Sequence, residues 1–124
     1  MGVTNPHNMT KLRKQRDLPV TLYRILLYLS RAKNKDEDTR RIMRIERAVG
    51  IERKELKLHL ISLENAGYIE SATSNKKGRG GHIVTIYNIN EPGKIIRGDI
   101  GRFVDLGIKM GYYPDDFFYL PSDI

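Results

Sequence analysis

Apolar residues recur along this chain with two periods, and the change from one to the other marks its organisation. Leu22, Tyr23, Leu26 and Leu29 fall three and four residues apart, with Ile25, Leu27 and Tyr28 widening the stripe. That period is helical. Asp17-Leu18-Pro19 precedes it, an acid and a proline that suit a first turn, so a largely buried helix is predicted from there to about Ala32. Lys33 to Asp38 reads as a charged connector. Arg40-Arg41-Ile42-Met43 fits either a short strand or the start of the next helix. Ile45, Ala48 and Val49 form one face of a short helix that stops before Gly50, a residue able to take a left-handed turn. A further helix is predicted from near Glu52 to Gly67. Its inner face is Leu56, Leu60 and Leu63, flanked by His59 and Ile61.

After Gly67 the pattern turns β. Tyr68–Thr73 is one predicted strand and Ile83–Ile89 another, the second dense in β-branched and aromatic residues. Between them Ser74 to His82 is basic and glycine-rich, the expected long, mobile tip of a hairpin. Beyond Pro92-Gly93, Asp99 is a predicted helix cap. Ile100, Phe103, Val104, Gly107 and Ile108 then make a clean apolar stripe up to Gly111. An aromatic, acidic tail follows, with five aromatics in the ten residues from Tyr112 to Pro121. Residues 1–16 show no apolar period and read as a flexible basic arm. The expected organisation is thus arm 1–16, one domain over 17–91, and a C-terminal helix with its tail over 92–124.

Composition narrows the chemistry. The chain has 124 residues, no cysteine, and 22 Lys plus Arg against 15 acids, a net charge of +7. Disulfides, thiolate metal sites and cysteine nucleophiles are therefore excluded. The charge is uneven: the arm carries Lys11, Arg13, Lys14 and Arg16 without an acid, while the tail carries Asp115, Asp116 and Asp123 without a base. Such a balance suits a polyanionic partner, because neutralising phosphates releases counterions. A surface merely rich in Lys and Arg is the alternative. No apolar run approaches the roughly 20 residues that cross a bilayer, and the N-terminus lacks the apolar core of a secretory signal. A cytoplasmic location without membrane partners is expected.

The order helix, short strand, helix, Gly turn, helix, basic hairpin carries a resemblance. Ile42 to Ile51 resembles the second helix and turn of the winged helix-turn-helix superfamily. Glu52 to Glu70 looks like its recognition helix and exit strand. Leu63-Glu64-Asn65-Ala66-Gly67-Tyr68-Ile69 is similar to the L-E-x-x-G-h-I ending common in MarR-type and ArsR-type regulators, and His59-Leu60 to the H-L pair midway along that helix. The resemblance spans about residues 18–90. It implies an α+β fold, a three-helix core with a small antiparallel hairpin wing and a C-terminal helix. It also implies a sequence-specific double-stranded DNA binder acting as a transcriptional regulator, with the N-terminal part of the recognition helix in the major groove.

On that reading Arg53, Lys54 and Lys57 are the recognition-helix contacts, suited to guanine edges or phosphate. Glu52 and Glu55 interleave with them as ordinary surface pairs would. Leu58 stands where many relatives carry a polar or basic residue, and either meets a thymine methyl or packs inward. Lys76, Lys77 and Arg79 form a cationic wing for phosphates or the minor groove, and Lys11, Arg13 and Lys14 an arm for sequence-independent contact. A homodimer matching a two-fold operator is expected through Ile100, Phe103, Val104 and Ile108; folding of that stripe onto the same core is the alternative. The aromatic tail should pack on its own domain, a dimer mate or a protein partner.

Catalysis is not expected. Gly78-Arg79-Gly80-Gly81 lacks the Lys-Ser/Thr ending of a phosphate-binding loop. His7, His59 and His82 are scattered without metal-ligand spacing, and no cofactor or metal is predicted. Two other functions fit the same features: a winged helix serving as a protein-interaction module in a larger complex, and an RNA- or replication-origin-binding protein.

Overall fold

The computed structural model describes residues 17–123, so the arm residues Lys11, Arg13 and Lys14 lie outside the described residues. The first helix, α1, spans Leu18–Ala32. Asp17 caps it by accepting the Val20 N–H at 3.1 Å, and Pro19 occupies the first turn, where a missing N–H costs nothing. Ile25, Leu26 and Leu29 are fully buried, as their spacing predicts. The far end of α1 is closed from outside: the buried Arg40 guanidinium donates to the carbonyls of Ala32, Lys33 and Lys35 at 3.0, 3.2 and 2.8 Å. Ala32 and Lys33 are the last residue and the C-cap of α1, and Lys35 follows in the connector, its N–H also donating to Ala32 O at 3.0 Å.

Helices α2 (Ile42–Val49) and α3 (Arg53–Asn65) are joined by the turn at 50–52. Gly50 takes the left-handed conformation at φ 68° and returns its N–H to Glu46 O at 2.9 Å, and Ile51 drops into the core. Strands β1 (Ile69–Thr73) and β2 (Thr85–Ile89) form an antiparallel pair with Ile69 opposite Ile89 and Thr73 opposite Thr85. The short segment before α2 proves to be both readings at once. Arg41 makes a single antiparallel bridge to Ile86, and α2 begins at the next residue. Strand β2 starts later than its β-branched run: Ile83 lies exposed in the loop, although Val84 O still accepts the Ser74 N–H at 2.8 Å.

The last helix corrects an expectation. Helix α4 runs Glu91–Lys109 and starts well before Asp99. Asn90 is its cap: the Asn90 side chain accepts the Gly93 N–H at 2.8 Å and donates to Gly67 O at 2.8 Å. Pro92-Gly93 is therefore a first turn and not a break. Gly93 is needed there, since a β-carbon would lie 2.1 Å from Tyr68 O. The described chain is thus an α+β unit of four α-helices and a two-stranded antiparallel hairpin.

Two apolar clusters hold it together. The larger joins α1, α2, α3 and the hairpin base through Ile25, Leu26, Leu29, Ile45, Val49, Leu56, Leu60, Leu63, Ile69 and Ile89. The smaller lies between α1 and α4, with Val20, Tyr23 and Val104 buried and Ile100 and Ile108 packed against them. The stripe predicted as a dimer surface is thereby largely consumed within one chain. Val104 is wholly buried, Ile100 and Ile108 are partly covered, and only Phe103 remains mostly exposed.

Three of the five tail aromatics, Tyr113, Phe117 and Phe118, pack on their own domain, while Tyr112 and Tyr119 stay exposed. The Tyr113 ring covers Gly107, where a β-carbon would come within 2.4 Å of it. Phe118 stacks on Tyr23 at 5.2 Å, and Arg24 donates to Asp116 O at 2.9 Å while lying 5.5 Å from the Phe117 ring centre. Leu120 enters the larger cluster, Pro121 touches Gly50 at the α2–α3 turn, and Asp123 pairs with Arg31 at 2.9 Å.

Candidate nucleic-acid interface

The features that could meet a polyanion sit on α2, α3 and the hairpin tip, all rooted in the larger cluster. Along α3 the buried residues are Leu56, Leu60 and Leu63. At 100° per residue, Lys54, Leu58 and Ile61 fall on the side facing away from them, and Lys57 on its flank. Leu58 is 64% exposed and Ile61 56% exposed. Leu58 therefore points outward, and Ile61 leaves the inner face on which its apolar character placed it.

The three expected recognition-helix cations are not equivalent. Arg53 is engaged: Glu46 of α2 accepts its backbone N–H at 3.0 Å and its guanidinium at 3.1 Å. Glu52, formally the N-cap, makes no side-chain cap bond, so Glu46 supplies that acceptor from the preceding helix. Lys54 and Lys57 are exposed and make no ion pair among the described residues. Glu55 is turned along the helix to His59, at 3.4 Å.

Helix α2 adds two cations that sequence reasoning passed over. Arg44 and Arg47 lie exposed, away from the Ile45, Ala48 and Val49 face. Their signal was present, since cations three residues apart opposite an apolar face share one solvent side. The first helix of such a pair is where a duplex backbone passes. Arg47 donates to Met43 Sδ at 3.8 Å, a weak restraint.

The hairpin tip is more structured than a free loop. Buried Ser74 donates to Glu37 Oε1 at 2.8 Å, the Asn75 N–H reaches the same oxygen at 3.2 Å, and the Lys76 N–H reaches Ser74 Oγ at 3.1 Å. Residues Arg79–Gly81 form a short 3-10 turn, with Gly80 and Gly81 at φ 73° and 79°, conformations that favour glycine. The Gly78 N–H donates to His82 O at 2.8 Å and closes the turn. Of the tip cations, Lys76 leans on Asp36 at 3.5 Å, both side chains well exposed. The Asp36 carboxyl is held below its ordinary range by the Asp38 N–H and then by Lys76. Lys77 and Arg79 are exposed and make no ion pair among the described residues. An exposed pair such as Lys76–Asp36 is screened by solvent and contributes little, so a phosphate can replace Asp36 at little cost.

Elsewhere the described residues hold no group of three or more His, Cys, Asp or Glu that could bind a metal, and no helix long and apolar enough to cross a membrane. Comparison with protein-family models, with curated proteins and with solved structures gives no match for this chain.

Proposed function

We propose that the chain is a winged helix-turn-helix protein that binds double-stranded DNA, with α3 as its recognition helix and the 74–82 loop as its wing, and that it serves as a transcriptional regulator. The observation that carries this reading is the outward side of α3, where Lys54 and Lys57 stand around an exposed Leu58 without acidic partners among the described residues. A helix fits the major groove side-on. Two lysines supply donors for guanine edges or phosphate, and Leu58 and Ile61 offer apolar contact for thymine methyl groups.

The remaining cations fall into supporting roles. Arg44 and Arg47 on α2, with Lys77 and Arg79 on the wing, neutralise phosphates and set the docking register without reading sequence. Arg53 shifts from base contact to architecture, since its guanidinium is held by Glu46. Lys76 joins the wing contacts once it leaves Asp36. In the tail, Phe118 and Leu120 pack on their own chain, which leaves Tyr112 and Tyr119 as the aromatics open to a partner.

The test is binding to duplex DNA, single-stranded DNA and duplex RNA of one random-sequence pool at a single salt concentration. Preference for duplex DNA, weakened by Lys54→Ala and Lys57→Ala, supports the proposal. Preference for RNA or single strands would replace it with the corresponding activity, and no binding to any of the three would end it.

A further inference from the structure

Away from α3, a recess of about 270 Å³ gathers cations from three separate elements. Arg31 lines it from the last turn of α1, Lys35 from the connector that follows, and Arg44 from α2. Tyr28 forms part of the wall, its hydroxyl tied to Thr39 O at 2.6 Å, and the turn at 120–123 closes one side. Asp123 is the one acid among the described residues that line it. Arg31 pairs with Asp123, whereas Lys35 and Arg44 make no ion pair among the described residues. A cleft walled by one sign of charge concentrates ions of the other.

The chain's own carboxylate shows what chemistry the recess accepts. Asp123 Oδ2 takes the Arg31 guanidinium at 2.9 Å and the Leu120 N–H at 3.2 Å. Arg31, and then that N–H, hold the Asp123 carboxyl below its ordinary range. One carboxylate against three cations leaves two of them uncompensated. A terminal phosphate matches the remainder, since it carries a charge of about −1.5 to −2 and three acceptor oxygens. Arginine is the side chain suited to it. The rim is held in place, because Arg40 donates to the carbonyls of Ala32 and Lys35 at 3.0 and 2.8 Å.

We infer that this recess binds the terminal phosphate of a small phosphate monoester, held by Arg31, Lys35 and Arg44 with the Asp123 carboxylate displaced. Pockets for drug-sized ligands run from roughly 300 to 1,000 Å³, so this one suits a phosphate with a short polar stem. A duplex backbone phosphate fits it less well. That diester carries a single charge and continues on both sides, so it cannot enter a recess end-on. The inference goes beyond DNA binding and does not depend on it. Arg44 also belongs to the proposed duplex-facing side of α2, and the substitutions that test the recess are therefore placed elsewhere.

Amide NMR of the full chain, titrated with glycerol phosphate to about 20 mM at constant ionic strength and without nucleic acid, tests it. Saturable shifts are expected at the Lys35, Thr39, Arg44 and Ser122 amides, with a Kd on the order of a millimolar. Lys35→Ala weakens binding by about fivefold or more. Asp123→Asn removes the competing charge but keeps an oxygen for the Leu120 N–H, and tightens binding by about threefold or more. Dimethyl phosphate, the diester of a nucleic-acid backbone, binds at least about tenfold more weakly. Shifts that never saturate, that centre instead on Lys54, Lys57 and Lys77, or that ignore both substitutions overturn the inference. Equal binding of the two probes overturns it as well and assigns the recess to backbone phosphate. With no nucleic acid present, a failure here leaves the DNA reading standing.

Discussion

Glu46 grips Arg53 twice, taking its backbone N–H at 3.0 Å and its guanidinium at 3.1 Å, and so fixes the start of α3 from α2. The pair couples architecture to the proposed interface, because it supplies the acceptor missing at the N-cap and withdraws one cation from the presented face. Replacing Glu46 with Gln keeps an oxygen for the N–H and removes the charge. Stability should fall by no more than about 1 kcal/mol, whereas duplex affinity should rise and its salt slope steepen by about one. Thermal unfolding and salt-titrated fluorescence anisotropy measure the two effects. Unchanged DNA affinity would show that Arg53 does not gain phosphate when released.

The wing makes a separable prediction. Lys76, Lys77 and Arg79 changed together to Ala should weaken every duplex alike and reduce the slope of log K against log salt by about two to three. Lys54→Ala and Lys57→Ala should instead change the ranking among sequences. Competition against a set of unrelated duplexes distinguishes the two patterns. A ranking that shifts with the wing substitutions would assign base reading to the wing.

Two glycines of α4 should respond in opposite directions. A β-carbon at Gly93 would lie 2.1 Å from Tyr68 O and 2.7 Å from Ile89 Cγ1, so Gly93→Ala must push α4 off the hairpin. We expect a loss of at least about 2 kcal/mol. At Gly98 the nearest atom is the end of the Arg102 side chain at 3.8 Å, and the residue is helical. Gly98→Ala should stabilise by roughly 0.5 to 1 kcal/mol through helix propensity alone. Denaturant titration of both variants checks the signs.

Alkaline pH should loosen the junction of tail and α1. Burial, and then the Asp17 carboxylate beside it, push the Tyr113 phenol up to about 12. Burial also raises Tyr23, Tyr28 and Tyr87. The unfolded chain loses these protons near the ordinary value of about 10, while the fold still holds them. In that window the native state binds more protons, so stability is complete below about pH 10 and falls as pH rises toward 12. Tyr113→Phe should reduce the slope of Tm against pH above 10. An unaltered slope would mean that the other phenols carry the effect.

How much of this could be read from the chain follows from what each residue answers to. The apolar sets Leu22 to Leu29 and Leu56, Leu60, Leu63 answer to their own helix period, so both helices and the Gly50 turn are legible locally. The start of α4 is not. Pro92-Gly93 suits a turn or a first helical turn equally, and the choice is made by Asn90 reaching Gly67, a contact across 23 positions. The stripe on α4 was legible as apolar but not as inward, because α1 and a second copy present similar demands to a helix. Arg40, exposed by type, is buried where its guanidinium gathers three carbonyls at and just past the end of α1. At the candidate interface Lys54, Lys57, Lys77 and Arg79 are exposed, as their polarity predicts. The engagement of Arg53 by Glu46 depends on the angle between two helices, and spacing alone does not encode that angle.

Binding of duplex DNA through α3 and the wing is tested by the dissociation constant for a random duplex pool measured from about 50 to about 200 mM salt. With six or more phosphates neutralised, affinity should fall on the order of a thousandfold across that range. The loss should be shallower once Lys54, Lys57, Lys77 and Arg79 are changed to Ala. Binding that is absent at the lowest salt, or unmoved by removing those four cations, would contradict it.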